Sequence, residues 1–314
     1  MLNFFQLILI YAGIYALMAI GQNCITGYTG MLSLCHAGFL CIGSYVTAIM
    51  CKTFGFSFWL SLPVAAIVAG LVGLLIGIPT LRLKGDYLCI ATLGLGEIIR
   101  NVATNLNPVG YNSIPRATLF GYQFASRNKF AFILLIWFFV LVFYVLFQQL
   151  AHSRLGRAMV AVREDEVAAQ SNGINVTKYK ISSFVLGAAV GGIAGCFQTA
   201  YTLTVQPASF TFMVSVMVLC TVVLGGMGNA KAVILGAFII QFISYFPQLT
   251  GLTNIIPAQA KQIIYGLLLV IMMLCRPQGI LGRDRYRYGD PRTRKEKLHD
   301  FFVRPKRSVK GGKA

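Results

Sequence analysis

The chain has 314 residues, 57% of them hydrophobic and only 11% charged. A soluble domain carries about 25% charged residues, so the composition excludes a water-soluble enzyme or binding module and marks an integral membrane protein. The net charge of +18 is weighted to the end: from Arg276 onward there are thirteen Lys/Arg and four Asp/Glu. No folded nucleic-acid module accompanies that tail, so topology control and contact with anionic lipid headgroups are its expected uses.

Several continuous apolar runs reach the ~20 residues that a helix needs to cross a bilayer. They do not alternate as the strands of a membrane barrel would. The expected fold is all-α and polytopic, with about 8–9 transmembrane helices interrupted by Gly-rich segments. Residues 1–275 form the membrane domain and 276–314 a basic tail. The eight cysteines, Cys24, Cys35, Cys41, Cys51, Cys89, Cys196, Cys220 and Cys275, sit within apolar runs without a Cys-x-x-Cys pair. They read as small buried hydrophobes, and neither a metal nor a cofactor is expected. The first apolar run, 4–20, has no basic segment before it and no Ala-x-Ala-like site, so it reads as a retained span.

Residues 21–39 follow as Gly-Gln-Asn-Cys-Ile-Thr-Gly-Tyr-Thr-Gly-Met-Leu-Ser-Leu-Cys-His-Ala-Gly-Phe. This stretch is polar and Gly-rich, yet carries no charge. Two readings stand: a tight turn, or unwound backbone at membrane depth, which is tolerated only inside protein or along a cavity and often borders transporter substrate sites. Spans are expected at about 34–51 and 58–79, the second with Gly73-x-x-x-Gly77 for close helix packing.

Arg82 and Lys84 then mark a cytoplasmic turn. The apolar stretch from Tyr87 re-enters the membrane carrying Glu97 and Arg100. At a spacing of three these can pair on one helix face. An intramembrane carboxylate is a functional candidate by default, because burial costs about 2.5–3.5 kcal/mol even on a lenient scale. The competing reading is a structural pair near the interface. Residues 106–129, with Pro108, Gly110 and Pro115, form an expected extracytoplasmic loop, and 130–150 returns to the inside. The run 181–203 holds Gly187, Gly191, Gly192 and Gly195 for tight packing. Gln206-Pro207 breaks the chain, and 212–224 leads to Gly225-Gly-Met-Gly-Asn-Ala-Lys231. That stretch lacks the Gly before Lys and the Ser/Thr after it that a phosphate loop needs. Runs 232–247 and 261–275 complete nine crossings, with the N-terminus outside and the tail inside.

Between the runs 130–150 and 181–203 lies the one internal region dense in both charges, 152–180. Arg154, Arg157, Arg163, Lys178 and Lys180 place it on the cytoplasmic side. Ala158 to Ser171 reads as a short helix ending at Gly173. Ala161, Ala168 and Ala169 would make this helix thin enough for a partner to approach, and acidic residues 164–166 lie between basic ones. The alternative is a solvated connector.

Four motifs carry a family resemblance across nearly the whole chain. Gly27-Tyr-Thr-Gly-Met-Leu-Ser-Leu-Cys-His-Ala-Gly-Phe with Gly43-Ser-Tyr resembles the N-terminal signature of branched-chain amino acid ABC permeases, with Cys35 where members usually have Gly. The stretch from Leu81 to Arg100 resembles that of the LivM-type subunit. Glu166-x-Ala-Ala-x-x-x-Gly173 resembles the coupling-loop motif of ABC importers, and Gly225-Gly-x-Gly with Arg276-Pro-Gln-Gly resembles the C-terminal signatures.

The resemblance implies one half of a two-permease pathway, partnered by a LivH-type permease, two cytoplasmic ATPases and an extracytoplasmic binding protein, in a prokaryotic plasma membrane. It implies no chemistry by this chain. Arg163, Glu164, Glu166, Ala168, Ala169 and Gly173 would couple to the ATPase. Gln22, Thr26, Ser33 and Thr92 would accommodate a zwitterion with an apolar side chain, such as leucine, isoleucine or valine. Gly27, His36, Tyr87 and Glu97 are further pathway candidates. A urea or short-amide permease of the same family and a stand-alone secondary transporter remain as alternatives.

Overall fold

In the computed structural model the described residues are 2–80, 83, 85–115, 118–119, 122–123, 129–249, 266–267, 270 and 279–280. All lie in the body Met1–Arg283. The expected span 261–275 apart from Gly266, Leu267 and Val270, the turn cations Arg82 and Lys84, and the tail apart from Gly279 and Ile280 fall outside them.

Helix α1 (Leu2–Asn23) runs directly into a π-helical turn, Cys24–Tyr28. The chain then unwinds, and α2 (His36–Ala48) begins and widens into a second π turn, Ile49–Thr53. The uncharged stretch therefore does break the helix, but from Gly30 to Cys35 and not from Gly21. Helices α3 (Phe58–Thr80) and α4 (Asp86–Leu106) follow. The segment after α4 carries a two-stranded hairpin, β1 (Thr118–Leu119) with β2 (Tyr122–Gln123). Helix α5 (Lys129–His152) leads to two short helices, α6 (Arg154–Glu164) and α7 (Glu166–Ser171). The bundle closes with α8 (Val176–Thr202), a 3₁₀ turn at Pro207–Ser209, α9 (Phe212–Gly225) and α10 (Ala230–Leu249).

Among the described residues five helical segments are long and apolar enough to cross a membrane: Phe4–Tyr28, Phe58–Thr80, Lys129–His152, Val176–Thr202 and Pro207–Gly225. Three other expected spans, α2, α4 and α10, do not meet that standard, for physical reasons. Helix α2 has only 13 residues before its π turn. Helix α4 carries Asp86, Glu97, Arg100, Asn101 and Asn105. The apolar part of α10, Ala230–Tyr245, is shorter than the others.

Helix α8 is the centre of the bundle because its glycines let three neighbours approach its backbone. A Cβ on Gly43 of α2 would overlap the Gly192 carbonyl, and one on Gly192 would stand 2.6 Å from Ala69 Cβ of α3. One on Gly187 would stand 2.7 Å from the Gly21 carbonyl of α1. The apolar core fills in around Phe197 of α8, whose ring contacts Phe58, Phe132 and Phe139 at centroid distances of 5.7, 6.4 and 4.9 Å. Of the seven described cysteines all are free, and six are buried.

The bundle has two ends. At one, α6 and α7 lie beside the π turn of α1, the Gly30–Cys35 break and the Gly225–Asn229 turn. At the other, Lys52 reaches the loop after α4, donating to Asn112 O at 2.7 Å. There Tyr111 also forms a bridge with Val205, just beyond the end of α8.

Candidate functional site

The site begins at the π turn. A helix widened by one residue leaves carbonyls out of register with the α ladder and open to other donors. Arg163 Nη1 donates to Gly27 O at 2.6 Å, bringing α6 onto the end of α1. Tyr28 OH donates to Phe147 O of α5 at 3.3 Å. Gly228 N donates to Asn23 Oδ1 at 2.8 Å, tying the Gly225-Gly-Met-Gly turn to the same place. A Cβ at Gly27 would collide with that Asn23 oxygen and with Gly228 N. Ile280 N of the terminal signature donates to Leu224 O at 2.9 Å, so two of the sequence motifs meet at the end of α9. Next to the π turn, Gly30 takes φ +73°, and an added Cβ would press on Arg163 Cγ at 2.9 Å. That position needs glycine for both reasons.

The expected helix over 158–171 is two helices. Asp165 is extended (φ −156°, ψ 114°), and its carboxylate accepts from Val167 N at 2.8 Å and Ala168 N at 3.0 Å. Asp is a preferred N-cap, so starting a second helix here satisfies two otherwise unpaired N–H groups. Glu166 Oε1 accepts from Lys180 Nζ at 2.5 Å, fastening α7 to the base of α8. Lys180 is 6% exposed at its side chain and Glu166 32%.

Ala169 turns inward onto Val162 and Val176 in a small core of the loop itself. It does not present a thin surface to a partner, whereas Val167 and Ala168 are exposed. Gly173, at φ +76°, and the Asn172 amide on Ala168 O at 2.8 Å end α7 where the sequence places the stop. Between loop and break lies a cavity of about 310 Å³. Thr29, Gly30, Arg163, Glu164, Glu166 and Lys180 are among the residues that line it.

The proposed substrate residues separate into groups. Gln22 Nε2 donates to Thr26 Oγ1 at 2.9 Å and to Ser33 O at 2.7 Å, and Leu34 N donates to Thr92 Oγ1 at 3.1 Å. Those four residues are brought together and buried, clasping both sides of the break. His36 is fully buried against Phe39, and among the described residues neither imidazole nitrogen has a hydrogen-bond partner. Tyr87 is not part of the group: it is 76% exposed on the outer face of α4. Glu97 pairs with Arg100, Oε2 to Nε at 2.8 Å.

Asp165 was open to detection in the sequence as a helix-starting residue. The Lys180 partner of Glu166 and the link between Asn23 and Gly228 were not, since 14 and 205 residues separate these pairs.

The family described as branched-chain amino acid transport system / permease component matches residues 4–273. The chain is 37% identical over 299 residues to the high-affinity branched-chain amino acid transport system permease protein LivM of Salmonella typhimurium, covering 87% of this chain and 68% of that one. It is 24% identical to the probable LivM permease of Methanocaldococcus jannaschii, over 89% of this chain and 94% of that one. The probable LivH permease of the same organism is 25% identical, over 88% and 91%. No solved structure matches the chain. With a family match over residues 4–273 and a LivM permease at 37% identity, the chain belongs to the branched-chain amino acid transport permeases.

Proposed function

We propose that this chain is one of two permeases in an ATP-driven importer of branched-chain amino acids. The observation that carries the reading is the double anchoring of the 152–180 loop. Arg163 holds it to the end of α1, and Glu166 holds it to the base of α8. A force applied to α6 and α7 therefore reaches two spans, and through α1 it reaches the break that precedes α2. In this reading two cytoplasmic ATPases dock on Glu164, Val167 and Ala168. A LivH-type permease completes the pathway, and an extracytoplasmic binding protein delivers substrate.

The topology in this reading has nine crossings: α1, α2, α3, α4, α5, α8, α9, α10 and the 261–275 run. The N-terminus is outside, and the 152–180 loop and tail are inside a prokaryotic plasma membrane, where the basic tail contacts anionic lipid. ATP hydrolysis belongs to the partner ATPases. The clasp of Gln22, Thr26, Ser33 and Thr92 holds the break in shape between its two states, beside the substrate's route.

The test is purification from gently solubilised native membranes, then reconstitution of whatever co-purifies into liposomes. The expected result is recovery of an ATPase and a second permease, with leucine uptake that needs internal ATP and the binding protein. Uptake of urea without leucine would move the substrate to short amides. ATP-independent flux by this chain alone would make it a secondary transporter and its loop a connector.

A further inference from the structure

The Glu97–Arg100 pair has a position that the family match does not explain. Helix α4 has 21 residues, about 30 Å at 1.5 Å per residue. That length equals the thickness of a bilayer's hydrocarbon core, about 30 Å. Glu97 lies at its midpoint. Both side chains are nonetheless 31% exposed. In the nine-crossing reading that midpoint lies at mid-membrane, where an ion pair turns to a bundle interior or a water-filled path and not to lipid.

Gly94, one turn earlier, has open space where a Cβ would stand, and Asn101, one turn later, is exposed, on a face of α4 that also bares Ile90, Ile98 and Val102. Leu34, Ala37, Phe210 and Ser215 share with Glu97 a cleft of about 10 Å³, room for one water in this conformation. Two discontinuous helices therefore start at the level of the pair: α2 at His36, with Ala37 N donating to Ser215 Oγ at 2.9 Å, and α9 at Phe212.

We propose that Glu97 and Arg100 are the charge-recognising pair of the substrate pathway, a role that rests on the importer reading above. Arg100 uses Nε for Glu97, leaving its terminal nitrogens as a fork for a carboxylate. Glu97 receives the ammonium. The passing amino acid exchanges its two charges for the two of the pair, and neither protein charge is left uncompensated. A neutral amide cannot make this exchange, so the site selects a zwitterion over urea at a point beyond the binding protein.

The experiment uses the complete transporter in liposomes, with ATP inside and the binding protein outside, and reads leucine uptake. Glu97→Gln and Arg100→Gln are each expected to lower uptake at least tenfold, with complex yield and binding-protein-stimulated ATP hydrolysis within twofold of normal. The reversed pair, Glu97→Arg with Arg100→Glu, separates recognition from support. A supporting pair works in either orientation, so restored uptake overturns the proposal, whereas persistent loss upholds it. Where a neutralising variant fails to assemble, Arg100→Lys keeps the charge without the fork. A KM for leucine raised about tenfold upholds the proposal, and an unchanged KM overturns it. Wild-type uptake separates the two levels. Its absence removes the importer reading and the pair with it, while normal wild-type uptake with unaffected variants removes the pair alone.

Discussion

Arg163 of α6 donates a 2.6 Å hydrogen bond to the carbonyl of Gly27, 136 residues earlier in the chain. It ties the helices of the 152–180 loop to the π turn that follows α1. A hydrogen bond to a charged donor contributes about 1.5–3 kcal/mol, enough to hold two elements in register through a moderate displacement. Arg163→Ala should leave the chain folded and the complex assembled, while leucine uptake per ATP hydrolysed falls about tenfold, the factor that ~1.4 kcal/mol of lost coupling represents. Uptake and hydrolysis measured on one liposome preparation give that ratio. A parallel fall in both, with the ratio intact, would show that Arg163 supports assembly and not coupling.

Glu166 and Lys180 are unequal partners, and the inequality gives a prediction with a direction. Lys180 is almost buried, whereas Glu166 is about one-third exposed. Removing Glu166 strands a buried ammonium; removing Lys180 leaves a carboxylate that still reaches water. Deleting one member of a fully buried pair costs about 3–5 kcal/mol. With one side solvated, Glu166→Gln should cost about 2 kcal/mol by that standard and Lys180→Met clearly less. The double variant should be milder than Glu166→Gln alone. Melting temperatures of the four proteins in one detergent decide this, and equal losses from both single variants would contradict it.

What the sequence made legible divides along physical lines. Helix-forming apolar runs, the glycine stripe of α8 and the Glu97–Arg100 pair are local patterns, and each appears where its spacing placed it. The stop at Gly173 is equally local. The interruption at Asp165 was missed because helix propensity over 158–171 is high, and the capping carboxylate, which overrode it, was read only as charge. Ala169 was assigned to a partner-facing surface because small size says nothing about direction; the loop's own core with Val162 and Val176 decides it. The spans α2, α4 and α10 are less plain than the apolar runs suggested, because α2 is cut short by its π turn, α4 carries charged and amide side chains, and the apolar part of α10 is short. The hub at Gly27 was not readable, since Arg163 and Gly228 reach it only in the folded chain.

Asp165 supplies the third prediction. Its side chain accepts from two backbone N–H groups at the start of α7, and an N-cap of this kind contributes about 1 kcal/mol. Helix α7 has only six residues, too few to persist without the cap. Asp165→Ala should therefore raise amide hydrogen exchange across 166–171 about fivefold, the equivalent of that ~1 kcal/mol, and leave α8 protected. Asp165→Asn, which also caps, should restore most of the protection. An unchanged exchange rate in the alanine variant would mean that the loop core holds α7 unaided.

The glycines test how the bundle is held together, because two of them differ sharply in surroundings. A Cβ at Gly43 would overlap the Gly192 carbonyl, an atom of a helix backbone that cannot rotate away. At Gly94 there is open space. Overpacking a close helix contact costs typically 1–3 kcal/mol, with backbone clashes at the upper end or beyond. Gly43→Ala should therefore lower stability by about 3 kcal/mol and separate α2 from α8, reducing the yield of monodisperse protein. Gly94→Ala adds a methyl to an unfilled side of α4 and removes the glycine penalty of about 0.8–1.0 kcal/mol in a helix interior. The solubilised chain should melt no earlier than the wild type. Thermal denaturation followed by size-exclusion chromatography reads both variants in one series. If both substitutions were tolerated equally, close approach at Gly43 would not be what holds α2 against α8. If both were destabilising, the open face of α4 would already be covered within this chain, and it would then have no room to line a pathway.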